Sequence, residues 1–243
     1  MIPANKNKVS ERVFARINRR MLRRHFHAVH CAGMEHVQQL DRSRPIILFG
    51  NHSCWWDGLL EFFFSHEVFG FDAFLMMEEK QMARYKFFRW IGAFSVNRDS
   101  PRDGVASLQY AASLFDRPNR VLWIYPQGVM RPNDYRPLGF YRGVSRLPGM
   151  LGGAQVVPVA HRYEFLMQQR PEAFTLFGTP LDCGGSEDAK QLAERLETLL
   201  TELLDGLRSA LISGTTAGFS VVLRGKSSTN IVYDRARGKH GSV

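Results

Sequence analysis

Asn51, His52 and Asp57 carry the side chains in this 243-residue chain best placed to do chemistry. They belong to the stretch Ile-Ile-Leu-Phe-Gly-Asn-His-Ser-Cys-Trp-Trp-Asp-Gly, residues 46–58. Its apolar start reads as a buried strand, and polar residues where a strand stops face a cleft rather than a core. A histidine with a carboxylate five residues on can act as a general base. The carboxylate holds the proton of one ring nitrogen while the other accepts the substrate's. The same local pattern also suits a purely structural pair. Cys54, inside the stretch, fits a small buried hydrophobe better than a nucleophile.

The elements that must position these residues can be followed along the chain. Residues 59–64 open a helix after the His52 loop, and 71–77 read as a short strand or buried run. Residues 79–90 mix bases with aromatics, as a lipid-facing helix does, or one whose bases snorkel over an aromatic core. Residues 92–98 form a strand ending at Arg98, and Ser100-Pro101-Arg-Asp103 then starts a helix running to about Phe115. Ser100 can cap it, Pro101 suits its first position and Asp103 is placed to bond back. Arg98 therefore stands at a strand-to-helix turn, which favours anions; the alternative is pairing with Asp99 or Asp103.

Further along, residues 121–125 form a buried strand ending at Pro126-Gln127-Gly128, and 131–137 are loop. The stretch 139–151 is Gly-rich, carries Arg142 and Arg146, and is expected to be a phosphate-contacting loop leading to a short helix. Residues 155–162 and 174–178 are strands. Ser186 is expected to cap a long helix whose leucines, from Leu192 to Leu211, make one apolar stripe closed by Gly214. Strands alternating with helices indicate an α/β fold in a single domain, with a mostly parallel central sheet flanked by helices.

Outside that domain, expected over 41–214, lie a basic N-terminal segment over 1–40 and a partly disordered extension over 215–243. Within the extension, 221–223 and 231–233 can dock. Residues 6–24 carry eight Lys or Arg against the single Glu11, with Val9, Val13, Phe14, Ile17, Met21 and Leu22 at helical spacing. Such a helix can lie in an anionic bilayer surface, or pack on its own domain with its basic face in water.

The whole chain holds 32 Lys plus Arg against 23 Asp plus Glu, a formal charge of +9, which draws phosphate-bearing partners. Nucleic acid is disfavoured among them, because no recognised motif accompanies the bases. Three scattered cysteines show neither a disulfide framework nor metal-ligand spacing and suit a reducing cytosol. His25, His27, His30 and His36 cluster loosely, but no carboxylate or thiol completes a regular ligand set, so no metal is expected. Neither a signal peptide nor a transmembrane run is visible, and the protein is expected in the cytoplasm, peripherally associated with the inner face of the membrane.

Four blocks in order, Asn51-His52-x4-Asp57-Gly58, Gly92-x-Phe94-x3-Arg98, Tyr125-Pro126-Gln127-Gly128 and Val156-Val157-Pro158-Val159-Ala160, resemble those of the glycerolipid acyltransferase family. That family includes 1-acylglycerol-3-phosphate and other lysophospholipid acyltransferases, and the resemblance covers roughly residues 46–180. It implies transfer of a fatty acyl group from acyl-CoA or acyl carrier protein, as co-substrate, to a hydroxyl of a lipid acceptor, with no further cofactor. Carried over, His52 is the general base and Asp57 its orienting partner. Arg98 joins an acceptor phosphate site, and Pro158 lines the acyl or acceptor cleft. Asn51, Gln127, Gly128 and Arg131 complete the expected substrate-binding set, with N–H groups near Gly128 as candidates for an oxyanion.

The third block departs from the family pattern Phe-Pro-Glu-Gly-Thr-Arg-Ser. Gln127 replaces the glutamate, and Met130 stands where the arginine should be. Gln127 still hydrogen-bonds but is uncharged, and Met130 cannot clamp phosphate. Arg131 substitutes only in a rearranged loop. A neutral hydroxyl, as on a glycolipid, thereby competes with a phosphate-bearing acceptor, and an inactive lipid-binding homologue is the further alternative.

Overall fold

The computed structural model describes residues 1–97, 99–229, 233 and 237, so Arg98 and the expected docking residues Ile231 and Val232 lie outside the described residues. In chain order the elements are α1 (Lys8–His25), β1 (Ala28–Ala32), α2 (Met34–Gln38), β2 (Ile46–Gly50), α3 (Asp57–Phe63) and β3 (Asp72–Glu78). There follow α4 (Glu79–Arg84), β4 (Ala93–Val96), α5 (Pro101–Ser113), β5 (Arg120–Ile124), α6 (Gly143–Leu151) and β6 (Gly153–Glu164). The last are β7 (Glu172–Phe177), β8 (Leu181–Gly184), α7 (Ala189–Ile212) and β9 (Ser220–Arg224).

The strands form one sheet in the order β4-β3-β5-β2-β6-β7-β1-β9, with β8 beside the start of β6. From β4 to β6 every pairing is parallel; β7 runs antiparallel to β6, and β1 is parallel to β7. Helices cover both faces, as the alternating residues of β2 show. Ile47 and Phe49 pack with Leu108 of α5, Leu147 of α6 and Leu196 of α7, while Ile46 and Leu48 pack with Leu22 of α1 and Leu60 of α3. All five residues of β2 are buried, which is why it reads as a continuous apolar run rather than an alternating one.

Several expectations shift. The sheet takes β1 from the N-terminal region and β9 from the C-terminal one, so the α/β fold reaches beyond 41–214 at both ends. Asp188, not Ser186, caps α7; its side chain accepts from the N–H groups of Lys190 and Gln191. Ser100 does cap α5, yet Asp103 turns its carboxylate to Asn97 instead of bonding back. The helix begun by α3 does not stop at Phe64 but continues as a wider, π-helical turn to Phe69. Among the described residues no helix is long and apolar enough to cross a membrane.

Candidate active site

β2 lies between β5 and β6, parallel to both, and its carboxyl end opens on the crevice where such folds place their chemistry. Asn51 is the first residue past that end. It is 3% exposed and spends its amide on the main chain of His161, accepting from the N–H at 2.8 Å and donating to the C=O at 3.0 Å. The side chain thus prolongs the β2–β6 ladder by one rung. It anchors the loop rather than meeting substrate, a correction to its expected role.

His52 follows with its backbone clamped from the β5 side. Its N–H donates to Gln127 Oε1 at 2.7 Å and its C=O accepts from the N–H of Arg131 at 2.8 Å. Its ring stacks on Tyr125, centroids 4.2 Å apart and planes 11° from parallel. Nδ1 lies 2.8 Å from Asp57 Oδ2. Because an ionised carboxylate only accepts, Nδ1 carries the proton, and Nε2 of the neutral ring is left with a free lone pair.

Asp57 sits in the first turn of α3, where the helix end favours negative charge, and is fully buried. Besides His52, the N–H groups of Ser53 (2.7 Å) and Cys54 (2.9 Å) donate to Oδ2, and the Tyr163 hydroxyl donates to Oδ1 at 2.6 Å. Burial alone would push its carboxyl up; the hydrogen bonds from His52 and Tyr163 and the nearby imidazoles outweigh that and hold it below the usual range. The carboxylate is therefore charged at neutral pH and fixed in place. Cys54 is the reverse case. Burial, then the charge of Asp57, pushes its thiol up to about 12, so it offers no thiolate.

His52 and Tyr125 border a cavity of about 680 Å³ at the carboxyl ends of β2, β3, β4 and β5. Its wall is mainly apolar, with Phe14 of α1, Phe62 of α3, Phe74 and Met77 of β3, Trp123 of β5 and Leu108 of α5. Glu61 also borders it, 2% exposed, and burial drives its carboxyl well above the ordinary range. An apolar cavity leading to one basic nitrogen suits a long hydrocarbon chain brought to a proton acceptor.

The remaining predicted residues fall into place differently. Gly128 lines the cavity at φ +67°, a backbone shape that glycine takes freely, but its N–H closes a turn onto Tyr125 O at 3.0 Å and is not available to an oxyanion. Gln127 is 4% exposed and faces His52, not the cavity. The glutamate-to-glutamine exchange thus keeps the acceptor oxygen that this bond needs. Arg131 does not substitute for the missing arginine, since its guanidinium lies 4.7 Å over the Tyr135 ring, away from the cavity wall. Met130 lines the cavity instead.

Pro158 is buried in the sheet opposite Phe49 and is not among the residues that line this cavity. On its other side β6 pairs with β8 as far as Val156 and with β7 from Val159 onward. Pro158 falls in the gap between the two, where the missing N–H costs no ladder bond. Nor do the clustered histidines converge: His25 bonds to Met21 O, His30 to Glu172 and His36 to Phe177 O.

Comparison with known proteins fits this geometry. The family model described as acyltransferase matches residues 28–162, more than half of the chain. The chain belongs to the acyltransferase family. Among solved structures, this acyltransferase is similar to the 1-acyl-sn-glycerophosphate (LPA) acyltransferase, PlsC, of Thermotoga maritima, with 17% sequence identity and a TM-score of 0.57. The match covers 83% of this chain and 79% of that one, and at this identity it is a likeness of fold. No curated protein sequence matches the chain.

Sequence reasoning missed Tyr163, which sits 106 residues from the carboxylate it holds and has no local motif. Its replacement in this acyltransferase, Tyr163→Phe, removes one donor to Asp57 and is expected to lower kcat about 10-fold, as loss of one charge-assisted hydrogen bond would. Steady-state rates with KM little changed are the check.

Proposed function

We propose that the enzyme transfers a fatty acyl group from an acyl thioester, acyl-CoA or acyl carrier protein, to a hydroxyl of a lipid acceptor, with His52 as general base. One observation carries this reading: the Nδ1–Asp57 bond of 2.8 Å, which leaves Nε2 as the basic atom of a ring bordering an apolar cavity large enough for an acyl chain. In the proposed sequence the acceptor O–H gives its proton to Nε2 as its oxygen adds to the thioester carbon. The tetrahedral intermediate then collapses with cleavage of the C–S bond, and the imidazolium returns the proton to the departing thiolate. Asp57 stabilises the imidazolium while it lasts. No Gly-x-Ser-x-Gly elbow supplies a serine for an acyl-enzyme, which favours direct transfer.

The test is a screen of acyl-CoA and acyl carrier protein donors against lysophosphatidate, neutral lysolipids and glycolipids, read as labelled ester formed. Transfer to any of these lipid hydroxyls upholds the reading. Hydrolysis alone, or no reaction with every pair, removes it.

The reading extends to where the enzyme works. Ala15, Asn18 and Leu22 of α1 are buried, and Asn18 donates to Leu59 O at 2.8 Å, so α1 is part of the folded unit. Its other face exposes Val9, Val13 and Ile17, four residues apart, among Lys8, Arg12, Arg16 and Arg20. Phe87 and Trp90 are exposed nearby, next to Phe14 at the cavity wall. Apolar side chains ringed by bases suit an anionic bilayer surface. The triple variant Val9→Glu/Val13→Glu/Ile17→Glu is expected to keep its thermal midpoint but lose most pelleting with anionic vesicles; undiminished pelleting would leave α1 with only its packing role.

A further inference from the structure

Two polar groups at the His52 cavity are buried without a partner. Glu61 stands one turn after Asp57 on α3, and neither oxygen of its carboxyl has a hydrogen-bond partner among the described residues. The hydroxyl of Tyr125, just past β5, is in the same condition. Asp57, equally buried, instead receives donors from His52, Ser53, Cys54 and Tyr163. Buried polar groups are normally paired, because lost hydration otherwise goes uncompensated. A leucine at position 61 would complete the apolar wall without that cost, so packing does not explain a carboxyl there.

The two groups are neighbours. The Tyr125 hydroxyl is close enough to the Glu61 carboxyl to act on it, yet outside hydrogen-bond geometry in this structure. Bonds of this kind often tighten only when substrate fills a site. The Tyr125 ring is also the surface on which His52 is stacked, at 4.2 Å, so what fixes that ring helps to fix the direction of the base. Burial drives the Glu61 carboxyl well above its ordinary range, and the charge of Asp57 adds to this against the Tyr125 hydroxyl. From the other side α1, packed on α3 through Asn18 and Phe14, brings no charge to it.

We infer that Glu61 is a positioning residue for acyl transfer, an uncharged acid that donates to the Tyr125 hydroxyl oxygen and so holds the ring on which His52 lies, with no second negative charge beside the base. This rests on the acyl-transfer reading above and adds a residue to it.

The test compares Glu61→Leu and Glu61→Gln in the full chain. Glu61→Leu should lower kcat about 10-fold with KM little changed, as loss of one hydrogen bond would, while its thermal midpoint does not fall. Glu61→Gln, whose amide can still donate to Tyr125, should recover most of the rate. A merely structural role would lower midpoint and rate together. Wild-type kcat in Glu61→Leu, or a Glu61→Gln variant no faster than Glu61→Leu, would overturn the proposal. If Glu61→Leu does not fold, Tyr125→Phe removes the other end of the same bond; the same drop in kcat upholds the proposal and an unchanged kcat removes it. Should the wild-type protein transfer no acyl group at all, the His52 ring signals in NMR still decide. They should move in Glu61→Leu, and in Glu61→Gln they should keep their position and titration midpoint. Unmoved signals in Glu61→Leu, or a lowered midpoint in Glu61→Gln, which would mean that Glu61 had been charged, removes the assignment.

Discussion

Replacing His52 with alanine is expected to lower acyl transfer by about a thousandfold, within the range for loss of a positioned general base, and to leave the protein folded. The reasons lie in what the ring does and does not support. His52 is held mainly through its backbone, by Gln127 Oε1 and the Arg131 N–H, and these contacts survive in the variant. Asp57 would keep the N–H groups of Ser53 and Cys54 and the Tyr163 hydroxyl as donors, so its charge stays solvated. Thermal unfolding and labelled acyl transfer measured side by side are the check. A folded variant turning over at near-normal rate would remove His52 from the mechanism.

The second large effect is at Asp57, and it falls on both stability and rate. Asp57→Asn keeps the volume but replaces one acceptor oxygen with an N–H₂ group facing donors. The Ser53 and Cys54 N–H groups, or Tyr163, then lose a partner in a fully buried site. A cost of about 2–4 kcal/mol follows from stranding buried hydrogen-bonding groups. Transfer should drop by about a thousandfold or more, because His52 loses the acceptor that fixes its tautomer and stabilises its charged form. The pH dependence has a definite sign. Asp57 is held below its unfolded value, so its stabilisation is fully present above about pH 4 and is lost as pH falls through the depressed folded value. Wild type should therefore lose stability toward acid more steeply than Asp57→Asn. Denaturant midpoints for both proteins at several pH values test this, and parallel curves would show that the carboxylate is not the stabilising group.

Much of the frame that holds this pair was legible because its signals are local. Residues 46–50 and 121–124 read as buried strands, being apolar throughout and bounded by turn residues, and Ser100-Pro101 announced α5. Near misses were also local. Ser186 and Asp188 both make good caps, and only the backbone geometry selects Asp188. What sequence could not show was contact across the sheet. Asn51 looked like a cleft residue until His161, 110 positions away, came alongside it. Pro158 looked like a lining residue until β7 and β8 were seen to divide β6 between them. Nothing near Arg131 told that it would lie over Tyr135. The His52–Asp57 pair is written in one stretch; its supports are written far from it.

That separation has a consequence in time. Tyr163 follows Asp57 by 106 residues, so at synthesis rates of about 5–20 residues per second it is added roughly 5–20 seconds later. Until β6 joins the sheet, the emerging chain carries a histidine whose carboxylate partner has not yet received its last hydrogen bond, and β2 lacks one of its two neighbouring strands. The pair thus gains its full support only once synthesis has passed Tyr163, and a ribosome that has not reached that residue displays the motif without the means to use it.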